Sequence, residues 1–335
     1  MMTPNNIPNR SLLKNLAQTY FRDSSVTGST KYMSSYWMEH TEYSTVEFDD
    51  DGNPISLVGG HFGSCKWNGL RSRVLDQLCV LTHLAILPQK LELIRLRSKA
   101  AKVCKSMDLD STIDVFRQIC SLEVLKRHLP EEMKEKRMNV MIIGDGFGIL
   151  GALFKAEFPN STIIMVDIGR TLTFQAYHLQ LAYPKGVHEM AGAVDSLGAA
   201  DFVYCPAEDL EILDGEKFDI ATSVGSMHEM TEPVIARYFD FMRRNFNTNN
   251  LFYCANRVYK VLPAGEISAI YNYPWDDEDE HFLDEGCGWS KFFFFGGRAP
   301  NAPKILGVRL PIIHPYDGPV AHRLTKLALT AKVDT

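Results

Sequence analysis

From Asn139 onward, short apolar runs of strand length alternate with stretches of helical period. NVMII is followed by a helix to Phe158, TIIMVD by a helix near 170–183, then come DFVYC, FDIATSV, a helix near 232–246 and LFYCAN. A chain patterned in this way is restricted to a mostly parallel sheet with helices on both faces, an α/β fold. In such sheets ligands bind outside the carboxyl ends of the strands. In the 232–246 stretch Ile235, Tyr238, Phe239, Met242 and Phe246 fall on one helical face, which marks them as core.

Upstream the pattern differs. Residues 1–30 are polar and read as a flexible N-terminal arm with at most one short helix. VEFDDDGNPISLV places Asp-Gly-Asn-Pro between two β-prone runs, which is hairpin chemistry. A calcium loop starting at Glu47 would need a carboxylate where Val58 stands, so Asp49 and Asp51 are turn residues. Between Arg71 and Arg127 apolar residues recur at three and four positions, and the ten-residue run Leu78–Leu87 reads as a buried helix too short to span a membrane. The expected organisation is an arm over 1–30, a mainly helical subdomain over 31–135 that roofs an acceptor pocket or forms a dimer contact, and an α/β domain over 136–335. Seven cysteines without a C-x-x-C pair predict buried free thiols and a cytoplasmic location. A net charge of −6 disfavours a nucleic-acid partner and leaves a small molecule as the expected one, with a homodimer open.

The stretch VMIIGDGFGILG puts a glycine-rich turn directly between a buried strand and a helix, where free N–H groups and the lack of Cβ atoms favour a nucleotide-type ligand. Two fingerprints overlap here. Gly146-Phe147-Gly148-Ile149-Leu150-Gly151 satisfies the G-x-G-x-x-G of dinucleotide sites, whereas Gly144-Asp145-Gly146-Phe147-Gly148 satisfies the G-x-G-x-G of methyltransferases. The strand's last apolar residue is Ile143, so the turn begins at Gly144 and the second pattern fits better. Asp167, at the end of the next strand, suits ribose hydroxyls in either case.

VMIIGDGFGILGALF, MVDIGRTLTFQAYHLQLAYP and FDIATSVGSMHEMTEPVIARYF, in this order and spacing, resemble the class I S-adenosylmethionine-dependent methyltransferases, and within them the sugar O-methyltransferase group. The resemblance covers about 139–257, roughly a third of the chain. It implies a Rossmann-like seven-stranded methyltransferase sheet whose last strand is antiparallel, with S-adenosyl-L-methionine as cofactor. It also implies that Gly144, Gly146 and Gly148 pass under the methionine and ribose of the cofactor, that Asp167 holds the ribose hydroxyls, and that Ile168 packs on adenine. Ala207 and Glu208 would meet the adenine edge, and Ser223 closes the expected cofactor set. The family usually has an acid two residues before the first glycine; Ile142 stands there, and Asp145 is the candidate replacement.

Transfer to a hydroxyl calls for a base near the acceptor. By the resemblance His228 and Glu229 face that point, His228 as base, with Glu229 orienting it, binding the acceptor or capping the next helix. No H-x-x-x-H or H-E-x-x-H pair supports zinc, and the acidic run 276–280 reads as a solvated loop rather than a metal site, so no metal is expected. Tyr273, Trp275 and Asp277, in a stretch of aromatics and acids over 271–289, are the candidate acceptor lid; failing that, Tyr36, Trp37, His61 and Trp67 would hold the acceptor. O-methylation of a sugar or similar small molecule is the expected function. An NAD-dependent oxidoreductase and a catalytically silent methyltransferase-like binding protein are the alternatives.

Overall fold

The computed structural model describes residues 7–22, 32–40, 43–59, 63, 65–194, 196–290, 293–294, 304–305, 308–309, 313–314 and 318–330. In chain order it forms α1 (Arg10–Phe21), α2 (Ser35–His40), β1 (Thr45–Phe48), β2 (Pro54–Val58), α3 (Gly69–Ile86), α4 (Lys90–Ser106), α5 (Ile113–His128) and α6 (Glu131–Glu135). The sheet region follows with β3 (Asn139–Ile143), α7 (Ile149–Glu157), β4 (Thr162–Asp167), α8 (Gly169–Ala182), β5 (His188–Met190), β6 (Phe202–Pro206), β7 (Phe218–Val224), α9 (Glu232–Asn245) and β8 (Phe246–Arg257). It closes with β9 (Lys260–Val261), β10 (Ile267–Ser268), β11 (Glu280–Gly286) and β12 (Val320–Lys326).

The central sheet has eight strands in the order β11-β12-β8-β7-β3-β4-β6-β5. Strands β8, β7, β3, β4, β6 and β5 run parallel, and β12 lies antiparallel to both β8 and β11. This is a Rossmann-like arrangement. It exceeds the expected seven strands by β5, a three-residue edge strand, HEM, too short to show any period in the sequence. The order reverses between β3 and β7, so the loops after these two strands diverge and open a crevice at the carboxyl edge.

Alternation along each strand sends neighbouring residues to opposite faces. Val140, Ile142, Ile163, Met165, Phe202, Tyr204 and Tyr253 join one apolar core with α1, α4, α5, α7 and α8. Met141, Ile143, Ile164, Val166, Val203, Cys205 and Phe252 join a second core with α9. The stripe Ile235, Tyr238, Phe239, Met242 and Phe246 is buried in that second core, as its period predicts. All seven cysteines are buried free thiols.

The helices upstream of β3 share the first core with the sheet, and α4 and α5 pack directly on α7. Two of them differ from expectation in detail. The run Leu78–Leu87 is helical but only half buried: Cys79, Val80, His83 and Leu84 turn inward while Leu78, Leu81 and Ile86 stay exposed. Within the expected arm, α1 is capped by Asn9, whose side chain accepts from Leu12 N at 3.1 Å, and it buries Leu12, Leu13, Leu16 and Ala17. That helix docks on α8 because Gly169 lacks a side chain: a Cβ there would fall 2.1 Å from Tyr20 Cε1. The hairpin β1–β2 forms as expected, with Asp49 accepting from the Asn53 backbone N–H at 2.7 Å. Farther along the chain Phe293–Phe294 pairs antiparallel with Ile313–His314.

Candidate functional site

The turn after β3 takes its shape from glycines: Gly144, Gly146 and Gly148 have φ of 72°, 57° and 80°, in the left-handed region. At Gly144 sterics add a second demand. A Cβ would land 2.3 Å from Ser226 Cβ, and Ser226 is fixed, its Oγ donating to Ile143 O at 2.8 Å and lying 2.9 Å from Ser223 Oγ. Gly144→Ala therefore combines left-handed strain with overpacking and is expected to destabilise the fold by about 2–4 kcal/mol, measurable by urea denaturation. Gly148 caps α7, and Gly151 lies inside that helix, where a Cβ would meet Met165 Sδ at 2.8 Å.

Asp145 is committed to the helix that follows it. Its carboxylate accepts from Leu150 N at 3.0 Å and Gly151 N at 2.8 Å, and burial lifts its carboxyl to about 7. Asp167 ends β4, accepting from Ile168 N at 2.8 Å and from Gln175 Nε2 at 2.7 Å. Burial, only partly offset by those bonds, lifts its carboxyl to about 8.

His228 sits in a short turn (Met227–Glu229) after β7. Its Nδ1 lies 3.1 Å from Asn256 Oδ1. The Asn256 amide is oriented by its own Nδ2, which donates to Ser223 O at 3.4 Å and to Cys254 Sγ at 3.1 Å. A carbonyl oxygen only accepts, so the Asn256 contact favours the hydrogen on Nδ1 and the lone pair on Nε2, whereas the Arg257 N–H, donating toward Nδ1 at 3.4 Å, favours the other tautomer. Nε2 lies 3.6 Å from Glu229 Oε1, and Lys260 Nζ lies 2.9 Å from the same oxygen. Burial pushes the His228 imidazole below its usual range, only partly countered by Glu229. Against burial, which raises it, His228 and Lys260 hold the Glu229 carboxyl below the usual carboxylate range. Helix α9 takes Thr231 as its cap, so Glu229 is free of that duty.

These groups meet in a cavity of about 840 Å³. Gly144, Asp145, Gly146, Asp167, Ile168, Ala207, His228 and Glu229 line it, all from the carboxyl ends of β3, β4, β6 and β7. Gly148, Glu208 and Ser223, expected to touch the cofactor, are not among its lining residues: Gly148 caps α7, Ser223 Oγ is turned to Ser226, and the Glu208 carbonyl accepts from Arg237 Nη2. The opposite wall comes from upstream of β3, with Tyr36 and Trp37 from α2, Arg71, Leu75 and Asp76 from α3, and Asp114, Arg117 and Gln118 from α5.

Tyr273, Trp275 and Asp277 are not brought to this cavity. Tyr273 is buried in the α9 core, with its hydroxyl 3.3 Å from Ser268 Oγ. Trp275 packs edge-on against Phe239 with ring centroids 4.9 Å apart, and its Nε1 donates to Ile270 O at 2.7 Å. Asp277 is exposed, while its neighbour Asp279 is buried against Arg243 at 2.7 Å. The stretch is thus anchored to the far face by its aromatics and one acid. Of the reserve set, Tyr36 and Trp37 line the cavity, Trp67 Nε1 donates to Asp76 at 3.0 Å, and His61 lies outside the described residues. Sequence reasoning missed Asn256, Lys260, Arg117 and Tyr238. Asn256 had one signal: a polar residue ending an otherwise apolar central strand, LFYCANR.

No family model matches the sequence, and no curated protein matches it. Among solved structures the chain is similar to the mitomycin 7-O-methyltransferase MmcR, at 12% identity and a TM-score of 0.37, over 57% of this chain and 49% of that one. It is similar to the phosphoethanolamine N-methyltransferase 2 of Haemonchus contortus in complex with S-adenosylhomocysteine, at 18% identity and a TM-score of 0.30, over 42% and 28%. It is also similar to the cyclopropane synthase MmaA2 from Mycobacterium tuberculosis, at 15% identity and a TM-score of 0.27, over 36% of each chain. The matched stretch spans less than half of each of those proteins. Roles at this site rest on the chain's own residues.

Proposed function

We propose that this chain is a class I S-adenosylmethionine-dependent methyltransferase acting on a hydroxyl of a small molecule, a sugar or sugar-containing compound, with His228 as base. The observation that carries the reading is the convergence of the positive-φ turn, a half-buried carboxylate at the end of β4 and a neutral-poised histidine after β7 on one cavity.

The residues present fit the cofactor. Asp167 offers an acceptor for ribose hydroxyls, Thr171, also on the lining, has a buried Oγ1 with no partner among the described residues, and the volume suits a ligand of this size beside a small acceptor. Gly144 and Gly146 give its backbone side, Ile168 and Ala207 its apolar contacts. When bound, S-adenosylmethionine supplies an electrophilic methyl group on a sulfonium. The chain orients the acceptor and takes its proton. Asn256 keeps the hydrogen on Nδ1, which leaves the Nε2 lone pair to receive the hydroxyl proton. Glu229, held ionised beside Lys260, stabilises the imidazolium that results. No metal takes part in this scheme.

Among the described residues no helix is long and apolar enough to cross a membrane. We place the chain in the cytoplasm on its cysteine usage, acting on a diffusible acceptor, with a homodimer as the expected assembly. Titration calorimetry tests the cofactor assignment directly: adenosylhomocysteine binds and NAD does not. Binding of NAD alone would replace methyl transfer by hydride chemistry, and binding without turnover on any hydroxyl acceptor would leave a silent binding protein.

A further inference from the structure

Resting on the methyltransferase reading, we propose that the acceptor carries an anionic group, a carboxylate or a phosphate, held by Arg71 and Arg117 on the helical wall of the cavity. The acids of that wall already have partners. Asp76 accepts from Trp67 Nε1 at 3.0 Å and from Ile113 N at 2.9 Å, and Asp114 lies 2.6 Å from Arg117; across the cavity, after β7, Glu229 lies 2.9 Å from Lys260. Arg71, in the first turn of α3, lines the cavity and has no ion pair among the described residues, which leaves its guanidinium open to a ligand.

Arg117 is aimed at the transfer point. It is braced by Asp114 and by the Trp289 ring, 5.5 Å from its guanidinium carbon. Its Nη1 lies 3.9 Å from where a Cβ on Gly225 would sit, and His228 Cε1 lies 3.9 Å from the same point. The guanidinium and the imidazole therefore flank one spot, left open because residue 225 is glycine. On the next position of the helix, Gln118 lines the cavity and has a buried Oε1 with no partner among the described residues, an acceptor for a neighbouring ligand hydroxyl. Two guanidinium groups, an unused amide oxygen and a base within one cavity match a hydroxylated acid better than a neutral polyol, because Arg binds carboxylate and phosphate through paired N–H bonds.

The test titrates the adenosylhomocysteine-loaded protein, and the free protein, with glucuronate, glucose 6-phosphate and glucose, for wild type and Arg71→Gln. At least one anion is expected to bind about tenfold more tightly than glucose, and Arg71→Gln to remove most of that margin while adenosylhomocysteine affinity stays put. Preference for glucuronate alone identifies a carboxylate site, and preference for glucose 6-phosphate alone a phosphate site. Equal or absent binding of all three, or a preference that survives in Arg71→Gln, overturns the proposal. Arg71 is exposed, so the variant folds. A protein that prefers the anions but does not bind adenosylhomocysteine would sink the cofactor assignment instead, so the two failures are distinct.

Discussion

Replacing His228 by alanine is expected to lower turnover about 10²–10⁴-fold while leaving adenosylhomocysteine affinity nearly unchanged, because only the proton-transfer step loses its acceptor. Burial favours the neutral imidazole against the opposing pull of Glu229, with Nδ1 beside Asn256 and Nε2 turned toward Glu229. The pH profile gives an independent readout. Burial lowers the imidazole below its ordinary 6.5, so the wild-type rate should stay level through neutrality and fall only as acid titrates the ring below that value. In the alanine variant this acid limb should vanish along with the rate. A variant with wild-type turnover at neutral pH would remove His228 from the chemistry, and lost cofactor affinity would make it a structural residue.

The second large effect concerns Asp167. Asp167→Ala removes two charge-assisted acceptor positions, each worth roughly 1.5–3 kcal/mol, so adenosylhomocysteine should bind at least about tenfold more weakly. The raised carboxyl adds a sharper test. Near pH 7 the ligand-free chain holds a proton on a group that titrates at about 8, whereas hydroxyl donors favour the carboxylate. Binding at pH 7 should therefore release protons, seen as a heat that varies with the ionisation enthalpy of the buffer. The stability of the ligand-free fold follows the same group. The unfolded carboxyl ionises near 3.8 and the folded one near 8, so this contribution is fully present below the first value and is lost as pH rises to the second. Asp167→Asn should flatten both dependences; unchanged proton release in that variant would assign the effect to another group.

What could be read from the sequence divides along physical lines. The strands β3, β4 and β6 were legible because each is a short, largely apolar run with a punctuating residue, Gly144 after β3, Asp167 ending β4 and Pro206 ending β6, and β7 and β8 because β-prone segments flank a stretch of helical period. β5 was not, because a three-residue edge strand of His, Glu and Met has no pattern of its own. The sheet side of the cavity was legible because its residues follow strands directly. The opposite wall was hidden. Arg71, Asp76, Asp114 and Arg117 sit on amphipathic helices whose polar faces look like ordinary solvated surface until the fold turns them toward β7. Trp275 and Asp279 show the converse: a mixture of aromatics and acids suggested a ligand, but the decisive partners, Ile270 O for one and Arg243 for the other, are set by the tertiary fold. Tyr238 was assigned to core by its period and is buried, yet the same ring also borders the cavity, a double role that no periodicity expresses.

The single apolar core shared by α4, α5, α7 and the sheet bears on how acceptor choice in such a chain can change. A chimera that exchanged residues 31–135 for those of another protein would have to match α7 side chain for side chain, since Leu93, Leu96, Phe116 and Leu125 fill the same interior as Leu150, Leu153 and Phe154. Block recombination at residue 136 should yield insoluble or loosely packed hybrids. New specificity would come instead through point changes at the cavity-facing positions of α3 and α5, which leave that interior untouched.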